Sequence, residues 1–461
     1  MSNELSPDAL KTKQAAFFKS NFTKNSSNRI SALKKLQSVI KLKESEIFEA
    51  LKMDLKKPEF EALTSETLLV EKELKLMINK LRNWSEPRKV AGSVINYPSK
   101  NYIIPEPYGN VLIISPWNYP FQLSMTPVIG AIAAGNTVVL KPSESSPNTS
   151  KIVSEILSEA FSETWVAVVE GDATVAADLL KKKWDYIFFT GSTSIGRIVA
   201  AAAAVHLTPT TLELGGKSPC IVDDSSPIQV TARRIIWGKF LNCGQTCIAP
   251  DYVLVHHKIK QALIAAMIQE IESAFGNPIE KSEDYGRIIH KAHFKKLKAS
   301  LKSQTISYSG TSNEEALFFH PTLVDEPSLN SPLMQNEIFG PILPIISYKT
   351  SDDIADTISG LEKPLALYIF SKREKFINQL MFEYSFGGCV VNDTLIQFAN
   401  ENLPFGGVGD SGMGAYHGRH SFELFSHLKA VVKRSFRFDA PQRYAPYPKS
   451  LNLLKYILKK L

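Results

Sequence analysis

NVLIISPWNYP (residues 110–120) and YIFFTGSTSIG (residues 186–196) each join a short apolar run to a turn rich in small and polar residues. TVVLK (residues 137–141) and WVAVVE (residues 165–170) repeat the apolar run, and helical patterns lie between all four segments. Strands that are apolar on both faces and alternate with helices indicate a parallel sheet covered on both sides. These residues therefore predict an α/β fold with a Rossmann-like parallel sheet, the kind of fold that binds dinucleotides.

The same pattern returns after Pro219 and predicts a second α/β domain. Its apolar runs are CIVD (220–223), YVLVH (252–256), LPIISY (343–348), ALYIF (366–370) and GCVVN (388–392). A chain of 461 residues is too long for a single compact core, so two or three domains are expected.

The residues on the amino-terminal side of the first sheet follow two other patterns. Before Trp84, apolar residues recur every three or four positions, which predicts helices. Val94–Ile104 is typical of a strand, although Pro98 interrupts it, and Pro105 and Pro107 are expected to end it.

The composition is that of an ordinary globular protein, with 44% hydrophobic and 21% charged residues. A net charge of +7 is mild for this length and does not indicate a nucleic-acid partner. The four cysteines form no C-x-x-C pair and the nine histidines form no H-E-x-x-H motif, so no metal site is expected. Few cysteines, a polar first segment (MSNELSPDALKTKQ) and the lack of a long apolar run predict a cytoplasmic protein.

Several short motifs follow the predicted strands in a fixed order. They are SPWNYP (115–120), KPSE (141–144), FFTGSTSIG (188–196), LELGGKSP (212–219), NCGQTCIAP (242–250), NEIFGP (336–341) and PFGGVGDSGMG (404–414). In this order and spacing they resemble the aldehyde dehydrogenase superfamily, from about Ala15 to Val432. The class 3 and fatty aldehyde dehydrogenase branch is most similar, through PWNYP, HLTPTTLELGGKSP, CGQTCIAPDY and GMGAYHGRHSFELFSH.

The resemblance implies a division of the chain. Residues 1–84 and 110–212 would form the NAD(P)-binding domain, and residues 213–400 the catalytic domain. Residues 85–109 and 401–440 would form a small β bridging element used in oligomerisation. The class 3 branch implies a homodimer, because Val94–Ile104 and Ala430–Phe438 resemble the family's small bridging element, which pairs across subunits.

The chemistry that the resemblance implies needs a nucleophile and a base. A thiolate that adds to an aldehyde makes a carbon able to give up hydride and leaves a thioester, which water must then hydrolyse. By resemblance, Cys247 is the nucleophile, Glu213 activates the water, and the Asn118 amide holds the oxyanion with the backbone N–H of Cys247. The ordinary structural alternatives are a small buried thiol, a salt-bridged glutamate and a turn asparagine.

The cofactor residues are also carried over from the resemblance. Lys141 and Glu144 would contact the adenosine ribose, and an acid there favours NAD, although the branch often accepts NADP as well. Glu337 would hold the nicotinamide ribose, and Phe339 would pack near the ring. The residues expected to face the pyrophosphate from a strand-to-helix junction are Gly191, Ser192, Thr193, Ser194, Ile195 and Gly196.

The substrate is expected to be a medium- to long-chain aliphatic or aromatic aldehyde. Tyr119 and Trp237 are candidates for its pocket, with an ordinary place in the aromatic core as the alternative. Gln397 lies in the loop expected near the substrate mouth.

Rival functions are a CoA-acylating aldehyde dehydrogenase, a Cys-dependent thioesterase and a non-enzymatic structural role. The thioesterase would need a histidine base, and no histidine stands in a motif that pairs with Cys247.

Residues 441–461 form a basic tail. It carries five basic and no acidic side chains, and Ser450 is a candidate N-cap for a short helix. At helical spacing one face is apolar, made of Leu451, Leu453, Leu454, Ile457, Leu458 and Leu461. A helix of about 18 Å cannot span a bilayer. The tail is therefore expected to cover an apolar surface near the substrate entrance or to make a weak peripheral membrane contact.

Overall fold

Two mostly parallel sheets and one small antiparallel sheet organise the chain. The structure is a computed structural model, and it describes residues 7–93, 96–437, 439, 441–447 and 450–459. Among these residues, no helix is long and apolar enough to cross a membrane.

The helices alternate with the strands over most of the chain. They are α1 Pro7–Lys19, α2 Ser26–Leu42, α3 Glu44–Leu55, α4 Glu59–Ala62, α5 Leu68–Trp84, α6 Gln122–Ala134, α7 Pro147–Ala160, α8 Ala173–Leu180, α9 Thr193–Val205, α10 Ile228–Phe240, α11 Lys260–Phe275, α12 Lys291–Ser300, α13 Pro332–Gln335, α14 Ser351–Ser359, α15 Glu374–Glu383, α16 Arg419–Leu424 and α17 Asn452–Lys459. Leu63–Thr67 form a π-helical turn between α4 and α5.

The strands are β1 Arg88–Val90, β2 Ser99–Pro107, β3 Asn110–Ile114, β4 Thr137–Lys141, β5 Val166–Val168, β6 Tyr186–Thr190, β7 Thr210–Glu213, β8 Pro219–Val222, β9 Tyr252–His256, β10 Thr305–Tyr308, β11 Thr322–Asp325, β12 Ile342–Tyr348, β13 Ala366–Phe370, β14 Gly388–Val391, β15 Gly412–Met413 and β16 Ser426–Arg434. Nine of the strands, β3 to β6, β8, β9 and β12 to β14, lie on the predicted apolar runs.

The first sheet has the order β15-β7-β6-β3-β4-β5; β3 to β7 are parallel to one another, and β15 pairs with β7 in the antiparallel direction. Every residue of β3 and β4 is buried, as expected for strands covered by helices on both faces. The Rossmann-like parallel sheet is therefore confirmed. Because its strands are parallel, the PWNYP, KPSE and GSTSIG motifs all leave it at the same edge.

The second sheet has the order β10-β11-β12-β9-β8-β13-β14, and only β10 pairs in the antiparallel direction. Its five central strands bury nearly all of their side chains. This confirms the second α/β unit. The segment with Cys247 lies between α10 and β9, so both sheets contribute loops to one region of the molecule.

The third sheet has the order β1-β2-β16, and β2 pairs with β16 over its whole length. The predicted strand bounds Val94–Ile104 are wrong, because the strand begins at Ser99 and continues through Pro105 and Pro107; Val94 itself lies outside the described residues. The prolines do not end the strand. β1 reaches only as far as Ile103, so at these positions β2 is an edge strand on that side, where proline is tolerated.

The carboxyl-terminal tail contains the predicted short helix, α17. The Ser450 hydroxyl accepts a bond from the backbone N–H of Asn452 at 3.5 Å, as a cap at the start of this helix would. Leu451 and Tyr456 are exposed. The other leucine and isoleucine side chains of the predicted apolar face, at 453, 454, 457, 458 and 461, lie outside what the structure describes.

Candidate active site

Cys247 lies in an unusual turn that follows α10. Asn242 and Cys243 both adopt left-handed backbone conformations, with φ of 51° and 56°. Such conformations are costly for residues other than glycine, and here hydrogen bonds hold them. The backbone N–H of Asn242 donates to the Glu61 carboxylate at 2.8 Å, and its side-chain amide donates to the carbonyl of Asn118 at 2.7 Å. The turn is therefore fastened to the helix and loop of the first sheet.

Two cavities meet at Cys247. One is a narrow, mostly apolar cavity of about 50 Å³, lined by residues that include Tyr119, Phe398 and Tyr416. The other is an open cleft of about 600 Å³ at the carboxyl edge of the first sheet. The residues that line both are Leu123, Thr190, Glu213, Leu214 and Cys247. The predicted nucleophile and the predicted base therefore lie together at the junction of the cavities.

Glu213 ends β7, where its backbone pairs with Thr190 on one side and Gly412 on the other. Its side chain is buried, and neither carboxylate oxygen has a hydrogen-bond partner among the described residues. Burial raises the pKa of this carboxyl group well above its ordinary value. A carboxylate with a raised pKa is a stronger base, which suits proton transfer near neutral pH.

The Cys247 thiol is partly buried and faces negative charge. Burial is the largest cause that raises its pKa to about 12, and the carboxylates of Glu337 and Glu213 contribute in the same direction. The backbone N–H groups of Cys247 and Ile248 act against this by donating to the sulfur. The thiol is therefore protonated at neutral pH in this state, and its activation needs a base.

Asn118 is held rigidly by three hydrogen bonds. Its side-chain amide donates to the backbone carbonyl of Gln245 at 3.0 Å. Its backbone carbonyl accepts from the Asn242 side-chain amide and, at 3.3 Å, from the Lys57 ammonium group. An asparagine amide has a second N–H, which leaves one donor for a developing oxyanion. Asn118 also lines the open cleft beside Cys247.

The sequence did not predict the buried charges behind Asn118. Lys57 and Glu66 form a fully buried ion pair of 2.6 Å, and Glu66 lies in the π-helical turn. The same carboxylate accepts from the backbone N–H groups of Phe121 and Gln122 at 3.1 and 2.8 Å. These bonds fix the start of α6, immediately after the loop that carries Asn118.

The open cleft contains most of the residues predicted to bind the cofactor. Its lining includes Gly191, Ser192, Thr193, Ser194, Glu337 and Phe339. The start of α9 has no side-chain cap, so its first N–H groups remain available for an anion. Gly196 packs so closely on Leu214 that a Cβ would lie 2.6 Å from it. The absence of a side chain there lets the helix approach the sheet.

Glu337 and Phe339 lie across the cleft from α9. Glu337 accepts from the backbone N–H of Gly216, and burial raises the pKa of its carboxyl group to about 8. Phe339 packs edge-on against Trp117, with ring centroids 5.4 Å apart. The loop that holds both is fastened by Lys217, which pairs with Asp251 and donates to the carbonyl of Leu333 at 2.6 Å. No role for Lys217 was predicted from the sequence.

Four predicted cofactor residues lie apart from the cleft lining, namely Lys141, Glu144, Ile195 and Gly196. Lys141, at the end of β4, is buried and pairs with Glu144. Ile195 is 46% exposed on α9. An uncapped helix start, small residues at the strand-to-helix junction and a cleft of about 600 Å³ nevertheless fit a dinucleotide.

The two predicted substrate aromatics occupy different surroundings. Tyr119 lines the apolar cavity and its hydroxyl bonds to the Thr246 hydroxyl at 2.6 Å. Trp237 is 46% exposed on α10 and is not among the described residues that line the cavity. Gln397 donates to the Tyr368 hydroxyl at 3.4 Å, next to the cavity residue Phe398.

The model of the aldehyde dehydrogenase family matches residues 6–431. The chain belongs to this family. A 4,4'-diaponeurosporen-aldehyde dehydrogenase of Staphylococcus aureus is 45% identical, over 96% of this chain and 97% of that one. Aldehyde dehydrogenase family 3 member A2 of Mus musculus is 42% identical, over 94% and 90%. The predicted class 3 branch is thereby confirmed.

Solved structures agree with the family assignment. Staphylococcus aureus AldH in a substrate-bound state superimposes with a TM-score of 0.95 at 43% identity, covering 99% of this chain and all of that one. An NAD+ complex of an aldehyde dehydrogenase from Bacillus cereus has a TM-score of 0.84 at 25% identity, covering 92% and 88%. The protein is thus an oxidoreductase that uses NAD(P) to oxidise aldehydes to carboxylic acids.

Proposed function

We propose that this aldehyde dehydrogenase oxidises medium- to long-chain aliphatic or aromatic aldehydes, with Cys247 as nucleophile and Glu213 as base. One observation carries the assignment of roles. Cys247 and Glu213 lie together where an apolar cavity meets a dinucleotide-sized cleft, and both oxygens of the Glu213 carboxylate lack a hydrogen-bond partner among the described residues. A structural glutamate would be paired, whereas a base must be free to accept a proton.

The first half of the proposed reaction forms a bond to Cys247. The thiol gives its proton to solvent water in the open cleft and its sulfur adds to the aldehyde carbon, while the carbonyl oxygen becomes an oxyanion held by the Asn118 amide and the N–H of Cys247. NAD(P), when bound in the cleft, supplies the hydride acceptor. Loss of hydride from the tetrahedral carbon leaves an acyl group on the Cys247 sulfur as a thioester.

The second half of the proposed reaction releases the acid. Glu213 accepts a proton from water, the oxygen of that water adds to the thioester carbon, and the C–S bond breaks. The products are a carboxylic acid and the Cys247 thiolate, and the proton taken from water remains on Glu213 until it passes to solvent. Because burial raises the pKa of Glu213, the carboxyl group can take the proton and return it to solvent near neutral pH.

The apolar lining of the substrate cavity supports an apolar aldehyde. Its walls include Leu241, Ile248, Leu395 and Phe405. The relative in Staphylococcus aureus is named for a 4,4'-diaponeurosporen-aldehyde, which is consistent with a long apolar chain. On the cofactor side, Glu144 beside Lys141 favours NAD over NADP, as an acid near the ribose disfavours a 2′-phosphate.

We propose the predicted homodimer and the predicted division into domains as the working organisation. The outer edge of β16 has no neighbouring strand among the described residues, and Leu428 and Val432 on it are exposed. An open edge of this kind is usually covered, and a second subunit would cover it. Light scattering should give twice the chain mass, and a monomer mass would overturn the dimer.

We propose a cytoplasmic location, which the four free cysteines support.

We propose further that residues 441–461 pack over the substrate entrance, with a weak lipid contact as the alternative. Deletion of residues 449–461 should change KM for long-chain aldehydes more than KM for propanal. Equal changes for both would contradict the first placement, and unchanged sedimentation with anionic liposomes would contradict the second.

The decisive assay follows NADH formation from hexanal and benzaldehyde with and without CoA. We expect NADH and free acid in equal amounts without CoA. A strict requirement for CoA would identify an acylating enzyme, in which Glu213 has no hydrolytic role. Acid release from a thioester with no dependence on NAD(P) and no oxidation of aldehydes would identify a thioesterase instead.

A further inference from the structure

A small polar pocket adjoins the apolar substrate cavity. It has a volume of about 30 Å³, and Gln122, Phe398 and His417 line both spaces. The remaining walls of this side pocket include Glu73 and Thr126. A group on the far part of a substrate chain would therefore meet this pocket across a shared wall, away from Cys247.

Glu73 gives the side pocket an unused acceptor. The residue lies on α5 and is 6% exposed. One carboxylate oxygen, Oε2, accepts from the backbone N–H of Gly418 at 3.2 Å, and the other, Oε1, has no partner among the described residues. Burial raises the pKa of this carboxyl group to about 7, against hydrogen bonds from Gly418 and Ser421. A buried acceptor left unpaired is costly, so a donor is expected to occupy the pocket.

The other polar walls connect the side pocket to the catalytic cavity. The Gln122 amide donates to the Thr126 hydroxyl at 3.3 Å and also bonds to the hydroxyl of Tyr416, which lines the catalytic cavity. His417 stacks on Phe405 with ring centroids 5.1 Å apart, and burial lowers its pKa to about 4. The ring is therefore neutral at physiological pH. Glu73 is the charged group at the buried end of the pocket, while Lys72 and Glu401 belong to its outer part.

We propose that the side pocket binds a hydroxyl group carried by the chain of the aldehyde substrate, with Glu73 Oε1 as its acceptor. The inference rests on the proposed function and adds a polar contact to an otherwise apolar recognition site. A volume of about 30 Å³ admits a group the size of a water molecule and excludes larger ones. A hydroxyl group supplies one donor to Glu73 and can accept from the Thr126 hydroxyl.

The test compares ω-hydroxyalkanals with the parent alkanals from six to twelve carbons, measured as kcat/KM for NADH formation. In the wild type we expect at least one chain length at which the hydroxylated aldehyde is preferred by about tenfold, the size of one good hydrogen bond. In Glu73→Gln that preference should fall by about fivefold, because a neutral amide replaces the carboxylate while its oxygen still accepts from Gly418. Thr126→Val is a second, shape-conserving variant and should also lower the preference.

Ile248→Val is the matched control, because Ile248 lines the apolar cavity and not the side pocket. It should change kcat/KM for both aldehydes alike and leave their ratio unaltered. Thermal unfolding establishes that each variant is folded. If alkanals are oxidised but no chain length shows a preference, or if both side-pocket variants keep the preference, the pocket holds only water and the inference is wrong. If no alkanal is oxidised, the proposed function itself fails.

Discussion

Two buried glutamates near Cys247, the proposed nucleophile, differ in their hydrogen bonding. The Glu66 carboxylate accepts hydrogen bonds from the Lys57 ammonium group and from two backbone N–H groups, so both of its oxygens are paired. Glu213 receives nothing from the described residues, although it is equally deep. Burying an unpaired carboxylate is costly, so a chain selected only for stability would pair both. The difference indicates that Glu66 fixes the scaffold, whereas Glu213 is kept free to exchange a proton.

The largest expected effect is a loss of activity without a loss of stability when the Cys247 thiol is removed. In Cys247→Ala, kcat for NADH formation should fall by at least about four orders of magnitude, because no sulfur is present to bond to the aldehyde. The midpoint of unfolding and the affinity for NAD should stay close to wild type, since the thiol is not part of the buried ion pair and is proposed to bond to the substrate and not to the nucleotide. Steady-state kinetics and calorimetry measure these quantities. Retention of more than a few per cent of activity would show that another group is the nucleophile.

The next effect concerns the paired glutamate. Lys57→Met leaves Glu66 without its ammonium partner and should lower the free energy of unfolding by about 3–5 kcal/mol. Denaturant unfolding measures the loss. The double variant Lys57→Met/Glu66→Gln should regain part of it, because no uncompensated charge then remains. A loss under about 1 kcal/mol would mean that solvent reaches this pair and that the contrast with Glu213 is weaker than the geometry indicates.

The unpaired glutamate should respond in the opposite manner. Glu213→Gln should yield a burst of about one NADH per active site and then a steady rate lower by about a hundredfold, because acylation proceeds while hydrolysis lacks its base. Its stability should equal or exceed that of the wild type, since no bond is lost and a buried charge is removed. Stopped-flow absorbance resolves the burst. A variant without a burst would place Glu213 before hydride transfer, in activation of the thiol.

Local patterns sufficed to predict the two parallel sheets, whereas the candidate catalytic residues came from the family resemblance. Short apolar runs at regular intervals predict buried parallel strands, and β3, β4, β9 and β13 follow them closely. Cys247, Glu213 and Asn118 stand in motifs that follow such strands or turns, so the resemblance placed them in one region. The expectation that Pro105 and Pro107 end the strand is wrong, because the effect of a proline depends on whether a neighbouring strand is present.

The buried ion pair of Lys57 and Glu66 could not be predicted from the sequence, for a different reason. Lys57 and Glu66 are nine residues apart and read as ordinary surface charges of a helical segment. Their burial follows from the packing of the amino-terminal helices on α6, which no local pattern encodes. The side pocket is similar, because Glu73 and Gly418 are 345 residues apart in sequence. Contacts of this range become visible only when the tertiary structure is known.

The smallest expected effect measures how the two glutamates act on the thiol itself. Negative charge raises the pKa of Cys247, and Glu213 is one of the two carboxylates that do so. Removing that charge lowers the pKa, so more thiolate is present at any pH below it. Between pH 8 and 9.5, Glu213→Gln should therefore be alkylated by iodoacetamide several-fold faster than wild type.

The matched control for this measurement is Glu66→Gln. Its charge is balanced by Lys57 and is not among the groups that raise the pKa of Cys247. Alkylation of Glu66→Gln should therefore follow the wild-type pH profile, once the fraction of unfolded protein is subtracted. Mass spectrometry of the Cys247 peptide measures both rates. Equal acceleration in the two variants would show that access to the sulfur has changed instead of its pKa. The charge of Glu213 would then have no effect on the pKa of Cys247.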